Sequence, residues 1–369
     1  MKKVLLLCAS AALMFCTACH DIDAPSSHKD IGALSIVIED VDDAVTKASS
    51  TDALAYETKV STVDVFVLSG TTVVRHETFS SISSLPYEAK VMGIPSGSYR
   101  VLVYGNAPSS VASATTMGAI TGTAITLADC SLTNGFVMGV DCGNVTVNSG
   151  METPVTATMQ RFVSRVRLKS VTNSVPSGYA SSGAITVKGA YLINVPTAWD
   201  LTGLVANVSS WGNLAGRNAA GSAMITANSQ VNPSAYAAHL AKFQSVAIAN
   251  GAANSTSFGW NLYAFPSPNA ASASDLFGAA PLSAPSMTAC PRLVVVATVN
   301  GRDCFYPVTL VSGGATLARN TSYDVSLTIL GVGSSDPNEP VITSESVIAT
   351  VTVVDGGGWT AGNNYNEPL

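Results

Sequence analysis

The sequence predicts an all-β fold that is built from many short strands. Valine and threonine are abundant, and the apolar runs are short and bounded by Gly, Asn, Ser or Pro. Short apolar runs punctuated by turn residues are typical of β-sandwiches and β-barrels. The chain has 369 residues, which is long enough for two domains with separate cores.

Charged residues are scarce, at 11% of the chain, against about 25% in an average soluble domain. The polar surface must therefore be built largely from Ser, Thr, Asn and Gly. The formal net charge is −6, without a block of basic residues, so nucleic acid is not an expected partner. After the N-terminus no apolar run approaches the ~18 residues that a membrane-spanning helix needs.

The N-terminus has the organisation of an export signal. Two lysines at positions 2 and 3 precede the apolar stretch Val4–Phe15, as in a secretory signal peptide. The following residues, Cys-Thr-Ala-Cys, resemble a bacterial lipobox in which Cys16 stands where Leu is usual. That resemblance implies a signal peptide of residues 1–18, a lipid on the Cys19 thiol and an outer-membrane lipoprotein precursor. The alternative is a plain signal peptide that is cut after Ala18.

Residues 31–50 begin as a strand and continue into a linker. Apolar side chains alternate with others in the period-2 pattern of a strand that has one buried face. The candidates for that face are Leu34, Ile36 and Ile38. An acidic stretch then leads to Lys47, whose neighbours are small, and a trypsin-like protease needs an exposed, extended segment with a basic residue at the cut. We expect either a removable strand, released by cleavage between Lys47 and Ala48, or an ordinary first strand followed by a surface loop.

Several segments, in this order and spacing, are similar to the fimbrillin (type V pilin) family of anaerobic Gram-negative bacteria. In the first half they are KVSTVDVFVLSG, VMGIPSGSYRVLVYGNAP, GFVMG and VTATMQRFVSRVRLKSV. In the second half they are LYAFPSPN, RLVVVATVNGRDCFYPVTL and RNTSYDVSLTILGVGSSDPNEP. The resemblance covers most of the chain and is weakest between residues 209 and 257.

The resemblance implies two transthyretin-like β-sandwich domains, expected at residues 48–159 and 160–369, after a lipidated propeptide at 19–47. It also implies that a trypsin-like protease removes the leading strand and that a neighbour's strand fills the vacancy, so that a pilus grows. Residues 31–50 occupy the removable-strand position, which favours that interpretation, although Lys47 stands where Arg is common. The implied partners are copies of the chain and other pilins, the protease and, before cleavage, the outer membrane. The mature form is expected on the cell surface in fimbriae, where a host or bacterial adhesion ligand is a further partner.

A candidate donor strand lies near the C-terminus, at residues 346–355, SVIATVTVVD. One face of this alternating segment carries Val347, Ala349, Val351 and Val353. The segment follows a proline-punctuated break at Asp336–Pro340, which would let it leave its own domain. The alternative is that it is simply the last strand of its own sandwich. Three glycines separate Asp355 from Trp359, where the family often has Asp and Trp adjacent.

Four cysteines remain in the chain after Cys19: Cys130, Cys142, Cys290 and Cys304. An even number in an exported protein permits two disulfides. Cys130 and Cys142 bracket a compact stretch, and we predict a local disulfide between them. Asn300-Gly301 predicts a tight hairpin turn whose register places Cys304 opposite Ala297. Cys290 is then seven positions further along, so a Cys290–Cys304 disulfide is not expected.

The search for catalytic chemistry is negative. The sequence lacks the G-x-S-x-G, H-E-x-x-H, P-loop and EF-hand patterns. His76 is expected on a solvated strand, and His239 is expected to be exposed beside the apolar stripe of a short helix capped by Ser234. Arg165 and Arg167 alternate on one strand face, which we interpret as solvated. We therefore predict no enzyme activity, no cofactor and no metal site.

A second function remains open, namely a surface glycan-binding lipoprotein with β-sandwich domains. Its aromatic platforms would come from the four tryptophans, Trp199, Trp211, Trp260 and Trp359, although burial is the commoner fate of tryptophan. A glycan binder would keep Cys19, whereas a stalk pilin in a surface polymer would start after Lys47. A tip or anchor role within the fimbrillin family also stays open.

Overall fold

The structure is a computed structural model that describes most of the chain beyond the N-terminal segment. The described residues are 30–40, 54–176, 184–201, 211–218, 223–254, 257–266, 291–311, 317–339, 347–354 and 365–367. Strands dominate these residues, and the predicted all-β fold is confirmed. Within the described part of the chain, no helix is both long enough and apolar enough to cross a membrane.

Eight strands and one short helix form the first half of the chain. They are β1 (Ile31–Asp40), β2 (Thr62–Ser69), β3 (Thr72–Ser80), β4 (Tyr87–Pro95), β5 (Gly97–Gly105), α1 (Met117–Thr121), β6 (Ala124–Thr126), β7 (Met138–Val147) and β8 (Glu152–Arg161). Seven strands follow the order β3-β2-β5-β7-β8-β1-β4. β7 and β8 pair only through Met138–Arg161 and Gly139–Gln160. The sheet therefore divides there into two layers, β3-β2-β5-β7 and β8-β1-β4.

The second half contains the remaining strands and a one-turn helix. They are β9 (Ser164–Asn173), β10 (Ile185–Ile193), β11 (Val195–Pro196), β12 (Ala198–Asp200), β13 (Trp211–Gly212), α2 (Ala237–Leu240), β14 (Ala241–Ile248), β15 (Ala253–Asn254), β16 (Trp260–Ala264), β17 (Arg292–Val299), β18 (Arg302–Thr309), β19 (Ser322–Ile329), β20 (Val347–Val354) and β21 (Tyr365–Glu367). One sheet has the order β14-β10-β17-β18, and the other has β15-β9-β19-β20-β21 with β16 also paired to β9.

The two halves are joined by more than the chain itself. The chain passes from one set of sheets to the other between Arg161, the end of β8, and Ser164, the start of β9. β6 of the first half pairs with β12 of the second, and buried apolar side chains of both halves form one continuous cluster. The domain boundary at residue 159 or 160 stays a prediction.

The hairpin between β17 and β18 has the predicted turn and register. Asn300 and Gly301 have φ values of +51° and +75°, which is the left-handed geometry that a tight two-residue hairpin turn requires. Cys304 lies opposite Ala297, as predicted. Cys290 lies outside the described residues.

The predicted helix around residue 236 is much shorter than its apolar spacing suggested. A 3-10 turn covers Ser234–Tyr236, α2 ends at Leu240, and Phe243 already belongs to β14. The N-cap residue of this turn is Pro233, and Ser234 is already inside the turn, so the predicted Ser234 cap is wrong. The prediction that His239 is exposed is wrong, because α2 turns it inward and only 7% of its surface remains accessible.

Candidate functional site

β1 occupies an interior position in the first half, although it comes first in the chain. It pairs antiparallel with β4 from Ile31–Pro95 to Ile38–Tyr87, and parallel with β8 from Ala33–Glu152 to Asp40–Met159. Both backbone edges of β1 are therefore used. Without β1, the facing edges of β4 and β8 would have unpaired N–H and C=O groups, which is the condition in which a sheet accepts another strand.

The inward face of β1 fills the core of the first half. Leu34, Ile36 and Ile38 each have 0% of their surface exposed. Burial of such side chains contributes about 1.5–3 kcal/mol each, or about 5–9 kcal/mol together. A domain is typically stable by only about 5–15 kcal/mol. The groove left by β1 would therefore have to be filled again for the first half to remain folded.

Gly32 lies at the end of the β1 groove that adjoins the β7–β8 turn. A Cβ atom on this residue would lie 2.3 Å from the Asn148 carbonyl oxygen and 2.7 Å from Cγ1 of Val147. Real Cβ atoms do not approach other atoms so closely, and the first of the two contacts is backbone. Only glycine fits at this position without a shift of the β7–β8 turn.

The residues predicted for maturation lie outside the described part of the chain. Cys19, Lys47 and Ala48 belong to this group. In the sequence, Lys47 lies between Asp40, the end of β1, and Leu54, where the described chain resumes. Lipidation at Cys19 and cleavage at Lys47 remain predictions.

The segment that follows the predicted cut is held by a buried ion pair. Arg165 Nη1 donates to Glu57 Oε2 at 3.0 Å and to Oε1 at 3.3 Å, and both side chains are fully buried. The Tyr263 hydroxyl donates to Glu57 Oε1 at 2.6 Å, and the Leu54 N–H donates to Oε2 at 2.9 Å. Burial is the largest cause of the raised pKa of the Tyr263 hydroxyl, so it remains a donor. Glu57 thus fixes the beginning of the first half to β9 and β16 of the second.

Two further arginines near the junction, Arg161 and Arg167, are bonded, the first buried and the second partly buried. Arg161 is 1% exposed, and its Nε donates to the Glu57 carbonyl at 2.6 Å. Arg167 Nε donates to Asp324 Oδ1 at 2.8 Å, on the neighbouring strand β19. The interpretation of this strand face as solvated is therefore wrong. The carboxylates that receive the arginines are more than 100 positions away in sequence, so local spacing could not reveal them.

The candidate donor segment lies in the sheet of its own half. β20 pairs antiparallel with β19 from Ser322–Val354 to Ile329–Val347, and with β21 on its other edge. Val347, Ala349 and Val351 are buried, whereas Ile348 on the opposite face is 49% exposed. The side chain of Val353 lies outside the described residues. In this structure the segment is therefore a strand of its own half, as the alternative interpretation expected. Its donor role remains a prediction.

The predicted disulfide between Cys130 and Cys142 is not formed, and both thiols are free. Cys130 is buried beside the backbone of Val137, and burial raises the pKa of its thiol to about 12. Cys142 lies in β7, five residues beyond Val137, or about 16 Å along an extended strand. The stretch between the cysteines therefore runs into a strand and separates them, whereas a disulfide needs Cα atoms within about 7 Å.

The histidines have structural contacts that the sequence did not reveal. His239 Nε2 donates to the Cys130 carbonyl at 2.6 Å, and burial lowers the pKa of its imidazole. The His76 Nε2 atom is 2.9 Å from Asp64 Oδ1, and its ring stacks on Phe66 with centroids 4.3 Å apart. Among the described residues, no cluster of three or more His, Cys, Asp or Glu is arranged to hold a metal ion.

The three tryptophans that the structure describes do not form exposed platforms. Trp199, Trp211 and Trp260 are buried, with 3%, 5% and 6% of their surfaces exposed. Trp359 lies outside the described residues. The aromatic surface that a glycan-binding interpretation required is therefore absent at these three described positions.

The fold is similar to that of a solved fimbrilin and of solved candidate cell adhesion proteins. A fimbrilin from Porphyromonas gingivalis W83 matches with a TM-score of 0.59 and 15% identity, over 90% of this chain and 98% of that one. A candidate cell adhesion protein from Bacteroides eggerthii DSM 20697 matches with a TM-score of 0.57 and 18% identity, over 88% and 96%. Another from Parabacteroides distasonis ATCC 8503 has a TM-score of 0.57 and 14% identity, over 88% and 97%.

No protein-family model and no curated protein matches the sequence. At 14–18% identity, the structural similarity establishes the fold over nearly the whole length of both chains. The similarity confirms the fimbrillin-type fold that the sequence segments suggested.

Proposed function

We propose that this chain is a non-enzymatic structural subunit of a surface fimbrium. It is exported as a lipoprotein on Cys19, cleaved between Lys47 and Ala48, and then polymerised by strand exchange. The fold shared with a fimbrilin supports the general function. The observation that carries the proposal is the position of β1, a buried first strand that is bonded on both edges and whose chain continues towards Lys47.

Cleavage at Lys47 would divide the chain into two pieces that are held in different ways. The piece that contains β1 would keep only its non-covalent contacts with β4 and β8. The piece that begins at Ala48 would remain anchored through the buried pair of Glu57 and Arg165. β1 can thus leave without loosening the new N-terminus.

The proposed replacement for β1 is residues 346–355 of another subunit. The inward side chains of β20 are Val347, Ala349 and Val351, and they are apolar like those of β1. Transfer would replace the hydrogen bonds that β4 and β8 make to β1, and each such bond contributes about 0.5–1.5 kcal/mol. Main-chain pairing supplies affinity in strand addition, and side-chain pockets supply selectivity.

N-terminal sequencing of polymers sheared from the cell surface tests the proposal. A stalk subunit is expected to begin at Ala48 and to lack the fatty acid that metabolic labelling would attach to Cys19 in the precursor. Polymers that retain Cys19, or a protein found only as a lipidated monomer, would contradict the proposal. The second outcome would favour the surface glycan-binding lipoprotein instead.

A further inference from the structure

A cleft of about 230 Å³ lies where the two halves of the chain meet. The first half contributes residues of β5, β7 and α1, and the second half contributes Leu201 and Arg319. The ring of Phe162, in the connection between the halves, forms part of its lining. The strand-exchange function gives this cleft no role.

Arg319 brings a half-buried positive charge into the cleft. Its guanidinium lies 5.3 Å from the centroid of the Phe162 ring, and Nη2 donates to Gln160 Oε1 at 3.2 Å. Neither contact neutralises the charge, and no carboxylate of the described residues forms an ion pair with it. Burial lowers the pKa of the guanidinium, which reflects the cost of removing the charge from water. An anionic ligand would offset this cost, and a carboxylate matches the geometry of a guanidinium.

Tyr104 adds a hydroxyl donor to the same cleft. Tyr104 is 4% exposed, and its ring stacks on Phe162 with centroids 6.5 Å apart. The hydroxyl makes no hydrogen bond to any residue that the structure describes. Burial raises its pKa to about 12, so the proton stays in place near neutral pH and is available to a ligand acceptor.

The remaining polar groups of the cleft are an ion pair that is partly open to solvent. Arg100 Nε donates to Asp141 Oδ2 at 2.9 Å, and both side chains are 39% exposed. Arg100 holds the pKa of the Asp141 carboxyl below its usual value. This pair offers both donors and acceptors, which suits hydroxyl groups. Met117 and Leu102 supply apolar lining beside it.

We propose that the cleft binds one acidic sugar ring of the uronic acid class. The carboxylate pairs with Arg319 and accepts a hydrogen bond from the Tyr104 hydroxyl, while Arg100 and Asp141 bond the ring hydroxyls. Ligand sites usually combine an apolar lining with a few convergent polar groups, and sites for drug-sized ligands occupy about 300–1,000 Å³. The smaller volume here fits a single ring.

Calorimetric titration of the full chain tests the proposal with three small ligands. Sodium glucuronate carries the charge, glucuronamide has nearly the same shape without it, and N-acetylglutamate amide carries the carboxylate without the sugar ring. Glucuronate is expected to bind about tenfold or more tightly than glucuronamide, because hydrogen bonds to a charged group are stronger than those to a neutral one. It is also expected to bind about tenfold or more tightly than N-acetylglutamate amide, which lacks the ring hydroxyls that Arg100 and Asp141 would bond.

Single-residue variants test whether glucuronate binds in this cleft. Arg319→Gln is expected to reduce glucuronate binding about tenfold or more, to the level of glucuronamide, and Arg319→Lys is expected to restore part of it. Arg302→Gln removes an equal charge from an exposed hairpin position and should leave binding unchanged. Thermal unfolding of each variant checks that it is folded.

Equal binding of glucuronate and glucuronamide, or unaltered binding by a folded Arg319→Gln protein, would overturn the carboxylate site. Equal binding of N-acetylglutamate amide would overturn its assignment to a sugar.

Discussion

Glu57 and Arg165 form an ion pair in which neither side chain is accessible to solvent, with Arg165 Nη1 3.0 Å from Glu57 Oε2. The residues are 108 positions apart and belong to different halves of the chain. Removing one partner of such a pair leaves a buried charge without its counter-charge. This pair therefore controls how firmly the segment after the predicted cut is attached.

We expect Glu57→Ala to lower the free energy of unfolding by about 3–5 kcal/mol, because it leaves Arg165 buried without its carboxylate. Denaturant unfolding of the full chain measures this loss. Glu77→Ala is the matched control, since Glu77 pairs with Arg75 at a partly exposed site, where ion pairs contribute about 0–1 kcal/mol. Equal losses in the two variants would show that the buried pair is not an anchor.

The residues of this junction show where sequence reasoning reaches its limit. The period-2 pattern correctly indicated the strand that became β1, and Asn300-Gly301 fixed a hairpin register because turn chemistry is local. The burial of Arg165 depends on Glu57, which no local pattern connects to it. An alternating basic strand looks solvated until its partner strand is known.

The cleft and the cysteines also depend on contacts that no local sequence pattern reveals. Tyr104 and Arg319 come from opposite halves of the chain and meet only through the packing of those halves. Cys130 and Cys142 are close in sequence, yet the intervening chain enters β7 and carries them apart. His239 is buried in α2, whereas the apolar spacing of Tyr236, Leu240 and Phe243 predicted an exposed position for it.

His239 predicts a pH dependence of stability. Burial lowers the pKa of its imidazole in the folded chain, whereas the unfolded chain has the ordinary value of about 6.5. The unfolded state then binds more protons as the pH falls through and below about 6.5, so stability decreases there by up to about 1.4 kcal/mol per pH unit. His239→Gln should remove this component. Denaturant unfolding at pH 7.5, 6.5 and 5.5 compares the two proteins, and identical pH slopes would contradict the assignment.

Gly32→Val should weaken the precursor and leave the mature subunit unaffected. A side chain at this position collides with the Asn148 carbonyl, but the residue belongs to the piece that the proposed cleavage would remove. We expect a lower melting temperature for the full chain. Polymers formed after cleavage should be unchanged, because another strand then fills the groove. Val37→Thr, on the partly exposed face of β1, serves as the control. If the Gly32→Val precursor melts at the same temperature as the wild type, the turn after β7 shifts at little cost and the prediction is wrong.

Lys47→Ala should block maturation, because it removes the only basic residue between β1 and Leu54. The expected product is an exported lipoprotein of precursor size that forms no fimbriae, detected by immunoblotting of surface fractions and by electron microscopy. Lys242→Ala, at an exposed position in β14, should mature and assemble normally. Fimbriae of normal length from the Lys47 variant would exclude this cleavage site.

The donor role of β20 can be tested by locking the strand in place. Ser326 on β19 lies directly opposite Thr350 on β20, so the double variant Ser326→Cys, Thr350→Cys places two thiols within the range of a disulfide. The cleaved protein should remain monomeric under oxidising conditions and assemble after a reductant is added, because only release of β20 frees the donor.

A second disulfide provides the matched control for this experiment. Thr186 on β10 and Thr298 on β17 are also directly opposite one another, in the sheet that does not contain β20. The variant Thr186→Cys, Thr298→Cys should therefore assemble with or without reductant. Native gels of unboiled samples report assembly, and mass analysis confirms each disulfide. If the protein with β20 locked still polymerises when it is fully oxidised, the subunits are joined by another segment, because a strand bonded to β19 cannot enter a neighbour's groove.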